Sequence, residues 1–159
     1  MALGDNTLRS AAGNSQRGRN PYMVENTVNL ATALSDKGSA LAAADVVPVI
    51  AVAKGTMILN AGIEVSTASD GSTFTVDLGM VDADVFVDGF DATSAAAVVA
   101  QNPAAYQPVM AVADDNIDVT IASLSGGAVT SGKFRVWAVM MDCTDMGDTA
   151  ANEVARDNA

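Results

Sequence analysis

The segment Met57–Gly79, MILNAGIEVSTASDGSTFTVDLG, indicates the fold class of the chain. Apolar residues take every second position from Met57 to Val65, and again from Phe74 to Leu78. Such alternation is typical of a β-strand that buries one of its two faces. Asp70-Gly71 lies between the two runs and is a strong turn signal, so the segment predicts two antiparallel strands joined as a hairpin.

Strand patterns continue on both sides of this segment. They are the apolar runs at Val24 to Leu34, Val46 to Ala53, Val85 to Val87, Val109 to Ala113, Ile117 to Ile121 and Lys133 to Met141. The Ala-rich stretch from Ala92 to Gln101 predicts a short helix, with Thr93 or Ser94 as its N-cap. About eight short strands with turn signals between them predict an all-β protein, an antiparallel β-sandwich with a jelly-roll-like arrangement. A βαβ sheet is not expected, because long helical patterns are absent.

The last predicted strand, Lys133–Met141 (KFRVWAVMM), is apolar on both faces at its C-terminal end. Alternate positions from Phe134 to Met140 form one apolar face. The opposite face begins charged and then carries Trp137, Val139 and Met141. A strand with two apolar faces lies either in the centre of the sandwich or under a neighbouring subunit, where Trp and Met are enriched. We interpret this face as core, with the subunit contact as the alternative.

The two ends of the chain differ from its middle. Residues 1–21 are rich in Gly, Asn, Ser and Arg and predict an extended N-terminal arm. Residues 144–159 are small and polar and predict a short C-terminal tail. Terminal segments of this composition are ordered only where a partner holds them. The β-sandwich domain is therefore expected at residues 22–143.

The charge is distributed unevenly along the chain. The net charge is −11, and sixteen of the nineteen acidic residues follow Lys37, against four of the eight basic residues. An acidic body repels phosphate, so we do not expect nucleic acid as a partner. The arm, which carries Arg9, Arg17 and Arg19, is slightly basic and suits docking on an acidic neighbour.

The residue types that most enzymes depend on are missing. The chain has no histidine and a single cysteine, Cys143. Histidine-based triads and zinc motifs are therefore excluded, and nothing activates the thiol as a nucleophile. We predict a protein that is not an enzyme and has no cofactor. The N-terminus lacks the apolar core of a signal peptide, and no run is long enough for a membrane span, so synthesis in a cytoplasm without a membrane partner is expected.

Clustered carboxylates suggest one weak metal site. Asp82, Asp84 and Asp88 lie close together in the sequence, and calcium prefers such oxygen ligands. The EF-hand pattern fails, however, because Phe86 occupies a ligand position and Thr93 stands where the bidentate Glu is required. A solvated acidic loop explains the same residues, and the similar group at Asp114, Asp115 and Asp118.

The stretch from Val46 to Gly79 resembles small virion structural proteins of tailed bacteriophages. An apolar strand leads to Gly55-Thr56, a second strand ends in Glu-Val-Ser-Thr, and a Gly-Ser turn precedes VDLG. The resemblance continues in DADVFVDGFDA at Asp82–Ala92, ADDNIDVTI at Ala113–Ile121 and GKFRVWAV at Gly132–Val139. The family that these features indicate is that of capsid decoration (cement) proteins.

This resemblance implies a β-sandwich body, often trimeric, that binds the outside of an assembled capsid. The expected partners are the major capsid protein and further copies of the chain, with a trimer favoured, and the expected location is the capsid surface of the virion. We place partner contacts in the arm and on the last strand, at Arg9, Arg17, Arg19, Tyr22 and Trp137. Alternatives are another β-rich structural or adhesion module, such as a head fibre or tail component, and a calcium- or sugar-binding module.

Overall fold

A computed structural model describes residues 20–100 and 108–143 of the chain, which form two antiparallel sheets and one short helix. The elements are β1 (Tyr22–Asn29), α1 (Leu30–Lys37), β2 (Val46–Val52), β3 (Thr56–Thr67), β4 (Thr73–Gly79), β5 (Val87–Asp91), β6 (Val98–Ala100), β7 (Val109–Met110), β8 (Asp115–Ser125) and β9 (Lys133–Asp142). We call the sheet that contains β9 sheet I and the sheet that contains β8 sheet II.

The strand order of the two sheets is that of a jelly roll. Sheet I has the order β1-β9-β3-β6, and β7 pairs with the same edge of β3 as β6 does. Sheet II has the order β2-β8-β4-β5. With β6 and β7 counted as one interrupted edge strand, eight strands form two interleaved Greek keys. The antiparallel, jelly-roll-like β-sandwich expected from the sequence is therefore confirmed.

The core lies between the two sheets. Phe74 of β4 and Phe134 of β9 are fully buried and stack across it, with ring centroids 5.9 Å apart. The alternate residues predicted to face inward on the later strands, from Ile117 to Ile121 and from Phe134 to Met140, are buried. Each Val, Ile, Phe or Met side chain among them contributes about 1.5–3 kcal/mol by leaving water. The core faces of these strands were thus predicted correctly.

The predicted hairpin of β3 and β4 is wrong, because the two strands belong to different sheets. β3 pairs with β9, and β4 pairs with β8. The turn at Asp70 carries the chain from sheet I across to sheet II. Its carboxylate accepts hydrogen bonds from the Thr130 N–H at 2.9 Å, the Thr130 hydroxyl at 2.6 Å and the Ser131 N–H at 3.1 Å. It is thereby joined to the β8–β9 loop, which crosses between the sheets in the opposite direction.

The single helix also lies elsewhere than predicted. The stretch from Ala92, expected to be helical, forms turns and then β6, because the backbone N–H groups of Ala92 and Ala96 donate to carbonyls of sheet strands. The helix α1 instead follows β1, in a region interpreted as strand. It begins at Asn29, whose side-chain oxygen accepts from the Ala31 N–H at 3.1 Å, and it ends at Gly38, with φ of 67°.

Candidate interaction surface on sheet I

The face of sheet I that points away from sheet II carries a group of apolar side chains. β9 lies between β1 and β3, and the register sets Met23 opposite Val139 and Met57 opposite Met141. Trp137 lies opposite Gly62 on β3, and β7 extends the row beyond β3. We call this group the apolar patch, and it comprises Met23, Met57, Met110, Trp137, Val139 and Met141.

The apolar patch is open to solvent. Met23 is 62% exposed and Met110 is 41% exposed, and the other four members are partly exposed. Contiguous exposed apolar side chains mark interaction sites more often than isolated ones do. Four of the six members are methionines, whose flexible side chains adapt to the shape of a partner. The patch therefore has the composition of a contact surface.

Gly62 makes room for the indole of Trp137. A β-carbon built at Gly62 would lie 2.6 Å from Cε2 of Trp137 and 2.7 Å from the carbonyl oxygen of Val99. The indole ring therefore rests directly on the backbone of β3, as an aromatic side chain does when it covers a strand glycine. The interpretation of Trp137, Val139 and Met141 as core residues is wrong, because β9 turns this face away from sheet II.

One end of the patch is bordered by paired charges. Arg135 donates from Nε to Glu64 at 2.8 Å, and its NH2 nitrogen lies 2.6 Å from the same carboxylate. Its NH1 nitrogen lies 3.4 Å from Glu25 on the other side of β9. The next outward residue of β9 is Lys133. Two acids and two bases therefore share the outer face of β1, β3 and β9, and their charges cancel.

A polar atom without a partner in the described residues lies beside the apolar patch. Asn60 lies opposite Val139 on the outer face, next to the β-bulge that inserts Leu59 into β3. Its Oδ1 atom is buried and accepts no hydrogen bond from the part of the chain that the structure describes. A buried acceptor without a donor costs about 1–3 kcal/mol.

The outer face of sheet II is polar. Thr75 and Ser123 are hydrogen-bonded across β4 and β8, with 2.7 Å between their hydroxyl oxygens. Asp77, Asp118 and Thr120 continue this face. Burial raises the pKa of the Asp118 carboxyl, and the nearby charge of Asp115 raises it further. In the described residues, the outer face of sheet II is thus mainly polar, with Val46 and Pro48 exposed at its β2 edge, whereas that of sheet I carries the apolar patch.

The residues predicted for partner contact fall in different places. Arg9, Arg17 and Arg19 lie outside the described residues. Tyr22 begins β1, is 45% exposed, and lies opposite Met140 on the inward side of sheet I, away from the patch. Trp137 lies on the patch. Sequence reasoning missed Met23, Met57 and Met110, because these residues come together only through the strand order. The one sequence signal of this surface was Gly62, a glycine within a predicted strand.

The acidic residues considered for calcium do not assemble into a ligand set. Asp82 and Asp84 lie close together, and a hydrogen bond with Asp84, followed by its charge, raises the pKa of the Asp82 carboxyl. Asp88 lies separately in β5. Within residues 20–100 and 108–143, no three acidic or cysteine side chains lie close enough to hold a metal ion.

The described part of the chain contains no helix that is both long and apolar enough to cross a membrane. Cys143 is a free thiol at the end of β9, partly exposed, and its backbone N–H donates to the carbonyl of Gly55 at 2.9 Å.

Comparison with known proteins locates this fold in phage capsids. No family model and no curated protein matches the sequence. The cyanophage Pam1 capsid asymmetric unit contains a chain with a TM-score of 0.62 and 15% identity, covering 88% of this chain and 97% of that one. The capsid of Ralstonia phage GP4 gives 0.60 and 14%, covering 86% and 92%. The acid-stable capsid of Helicobacter pylori bacteriophage KHP30 gives 0.51 and 12%, covering 76% and 86%.

At these identities the comparisons establish the fold. The chain is an antiparallel β-sandwich of the kind found in phage capsid structures, and each matched chain is covered over most of its length.

Proposed function

We propose that this chain is a structural virion protein that binds the outside of an assembled phage capsid and stabilises it, as a decoration (cement) protein without catalytic activity. The observation that carries the proposal is the fold, a jelly roll shared over most of its length with chains of three phage capsid structures. The apolar outer face of sheet I supports it, because a protein that acts by binding needs a contact surface more than it needs a catalytic pocket.

The stabilising effect would follow from mass action. A ligand that binds the assembled shell and not the free subunit lowers the free energy of the assembled state. The partner is therefore the major capsid protein in its lattice, and the location is the outer surface of the virion after synthesis in the host cytoplasm. A homotrimer fits a position on a local three-fold axis of the shell, since closed symmetry of the added protein can match the symmetry beneath it.

We assign the docking contact to the N-terminal arm. Arg9, Arg17 and Arg19 give residues 1–19 a basic character, and the arm joins the body at Tyr22, at the exposed end of an edge strand. An extended arm can add a strand to a neighbour's sheet, and arginines pair with carboxylates on that neighbour. The arm would then hold the acidic body on the capsid without a large rigid interface.

Co-sedimentation with capsids of the source phage tests this function. The full chain is expected to pellet with intact, naturally undecorated capsids and to stay in solution with free capsid subunits. A variant with Arg9, Arg17 and Arg19 changed to Ala should bind the capsids more weakly and with a smaller salt dependence. Changing Lys54, an exposed base of the body, to Ala controls for the loss of one base away from the arm and should leave binding unchanged.

Two results would contradict the proposal. Failure of the full chain to pellet with capsids at any salt concentration would remove the decoration function, and binding to tails or host cells would point to a tail or fibre component. Equal binding by the arginine variant and the Lys54 control would leave decoration in place but remove the assigned role of the arm.

A further inference from the structure

We propose that the apolar patch is the surface through which copies of this chain associate with one another. The inference rests on the proposed function only where that function expects copies of the chain to associate, and it does not require that the chain bind capsids. The partner on this face is a second copy of the same chain.

The charge distribution favours a second copy over other occupants. The described residues carry fourteen acidic and four basic side chains, so two copies repel each other over most of their surfaces. By register, only two of those acids, Glu25 and Glu64, lie on the outer face of sheet I, and both are paired with Arg135. Lys133 balances the remaining charge. The outer face of sheet I is thus a neutral surface through which two such acidic bodies can approach.

A basic partner would select a different face. Opposite charges attract across an interface, so a cationic surface would be drawn to sheet II and its neighbouring loops, where Asp77, Asp88 and Asp118 lie. It would gain no charge complementarity from the neutral apolar patch. The patch is therefore better matched to an identical neutral face than to a cationic surface.

The composition of the patch agrees with contact between copies. Interface cores are enriched in aromatic residues and Met and depleted in charged residues, which describes Trp137, the four methionines and Val139. The Arg135 ion pairs lie at one end, where the polar rim of an interface belongs.

Sedimentation velocity of the full chain over a wide concentration range tests the proposal. The test variant is Met23→Glu together with Met110→Glu, since both side chains are well exposed in the single copy and neither change should unfold it. The matched control is Thr73→Glu with Ala122→Glu, two exposed positions on strands of sheet II that add the same charge. Circular dichroism and thermal melting of all three proteins verify that the fold is kept.

The wild-type chain is expected to be a stable oligomer, and the patch variant a monomer. The dissociation constant should rise about 100-fold or more, because an unpaired charge buried in an interface is heavily penalised. The control should retain the wild-type dissociation constant within a few-fold.

A wild-type chain that stays monomeric would overturn the proposal, as would a patch variant that associates as the wild type does. If the wild type is monomeric and the patch variant loses capsid binding, the occupant is the capsid protein and not a second copy. If it is monomeric and the variant still pellets with capsids, the patch serves neither partner. If the wild-type chain oligomerises but does not bind capsids, the proposed function is contradicted and the self-association of the patch is not.

Discussion

Gly62 and Trp137 make the contact on which the shape of the apolar patch depends. The indole and the Val99 carbonyl of β6 both lie within 2.7 Å of where a β-carbon of residue 62 would be, so any larger residue must displace both the ring and β6. Glycine within a strand is otherwise unfavourable, because it adds backbone entropy and no packing. Its presence here is explained by the ring that covers it.

We expect Gly62→Ala to lower the free energy of unfolding by about 1–3 kcal/mol, the usual cost of inserting a methyl group into a filled space. Urea unfolding followed by circular dichroism measures the stability, and tryptophan fluorescence of the proteins that keep Trp137 reports the displacement of the ring. In a Trp137→Ala background the same change should cost less, because one of the two clashes is gone. An equal cost in both backgrounds would show that the Val99 carbonyl, and not the indole, limits residue 62.

Asp118 shows how a single carboxylate can oppose folding. Burial and the charge of Asp115 hold its pKa above the ordinary value of 3.8, so the folded state binds this proton more tightly than the unfolded state does. Its stabilising contribution is complete below pH 3.8 and is lost as the pH rises through the folded pKa. At neutral pH the charged form is a net cost.

Asp118→Asn is therefore expected to raise Tm at pH 7 by a few degrees, and the gain should disappear near pH 3. Asp36→Asn, on the exposed side of α1, is the control and should change Tm little. Calorimetry at both pH values measures the effect. A gain that persists unchanged at pH 3 would mean that removal of charge is not its cause.

At the scale of elements, the turn at Asp70 and the β8–β9 loop behave as one unit. Hydrogen bonds from the Thr130 hydroxyl and from the backbone of Thr130 and Ser131 lower the pKa of the Asp70 carboxyl to about 2. The folded state thus favours the ionised form. This stabilisation is present above the ordinary value of 3.8 and is lost as the pH falls through about 2.

We predict that Asp70→Asn destabilises the protein at neutral pH. The asparagine side chain has one oxygen that can accept hydrogen bonds, whereas both carboxylate oxygens of Asp70 accept them. The difference in Tm from wild type should shrink as the pH falls from 4 towards 2, as the wild-type carboxyl becomes protonated. Asp114 offers a comparison, since among residues 20–100 and 108–143 its carboxylate accepts a single hydrogen bond, from the Lys54 N–H at 2.9 Å. Its change to Asn should cost less than that of Asp70.

The helix α1 depends on its two caps. An eight-residue helix is too short to be stable by itself, so its ends must be specified locally. Asn29→Ala should cost about 0.5–2 kcal/mol through loss of the N-cap bond. Gly38→Ala should cost about 1 kcal/mol, since φ of 67° is unfavourable for alanine. Changing exposed Ser35 to Ala should have little effect, and chemical denaturation of the three variants compares them.

The errors made from the sequence concern elements, and each has a physical reason. Alternation from Ala61 to Val65 and from Phe74 to Leu78 shows which residues face inward, whereas the β-bulge at Leu59 places Met57 on the outer face of β3. The pattern carries no information on bulges or on which strands pair. The Ala-rich stretch after Ala92 has helix propensity, yet pairing with β3 at Ile63 outweighs it. Propensity is a weak preference that tertiary hydrogen bonding overrides.

At the scale of the whole molecule, the contrast between a neutral patch and an acidic remainder predicts an unusual salt response. Salt screens the repulsion between two acidic copies, while an apolar contact needs no charge attraction. Self-association should therefore tighten as NaCl is raised from about 0.05 to about 0.5 M. Sedimentation equilibrium measures this dependence.

Arg135→Gln provides the matched change for that experiment. It leaves Glu25 and Glu64 unpaired beside the patch, so the variant should associate more weakly at low salt and recover as salt is added. Lys37→Gln removes one base on α1, outside the outer face of sheet I, although it also breaks the ion pair with Asp45. If association weakens with salt, or if both variants respond alike, charge on the outer face of sheet I does not control it.

The sequence by itself determined the all-β class, the inward faces of β4, β8 and β9, the lack of a histidine-based active site and the acidic character of the body. These properties follow from residue type and from the period-two pattern, which are local. Tertiary structure decided that β3 and β4 separate into different sheets, that Trp137 lies outside the core on Gly62, and that the methionines of four strands meet on one face. Those outcomes depend on strand order, because residues distant in the chain become neighbours only when the sheets are assembled.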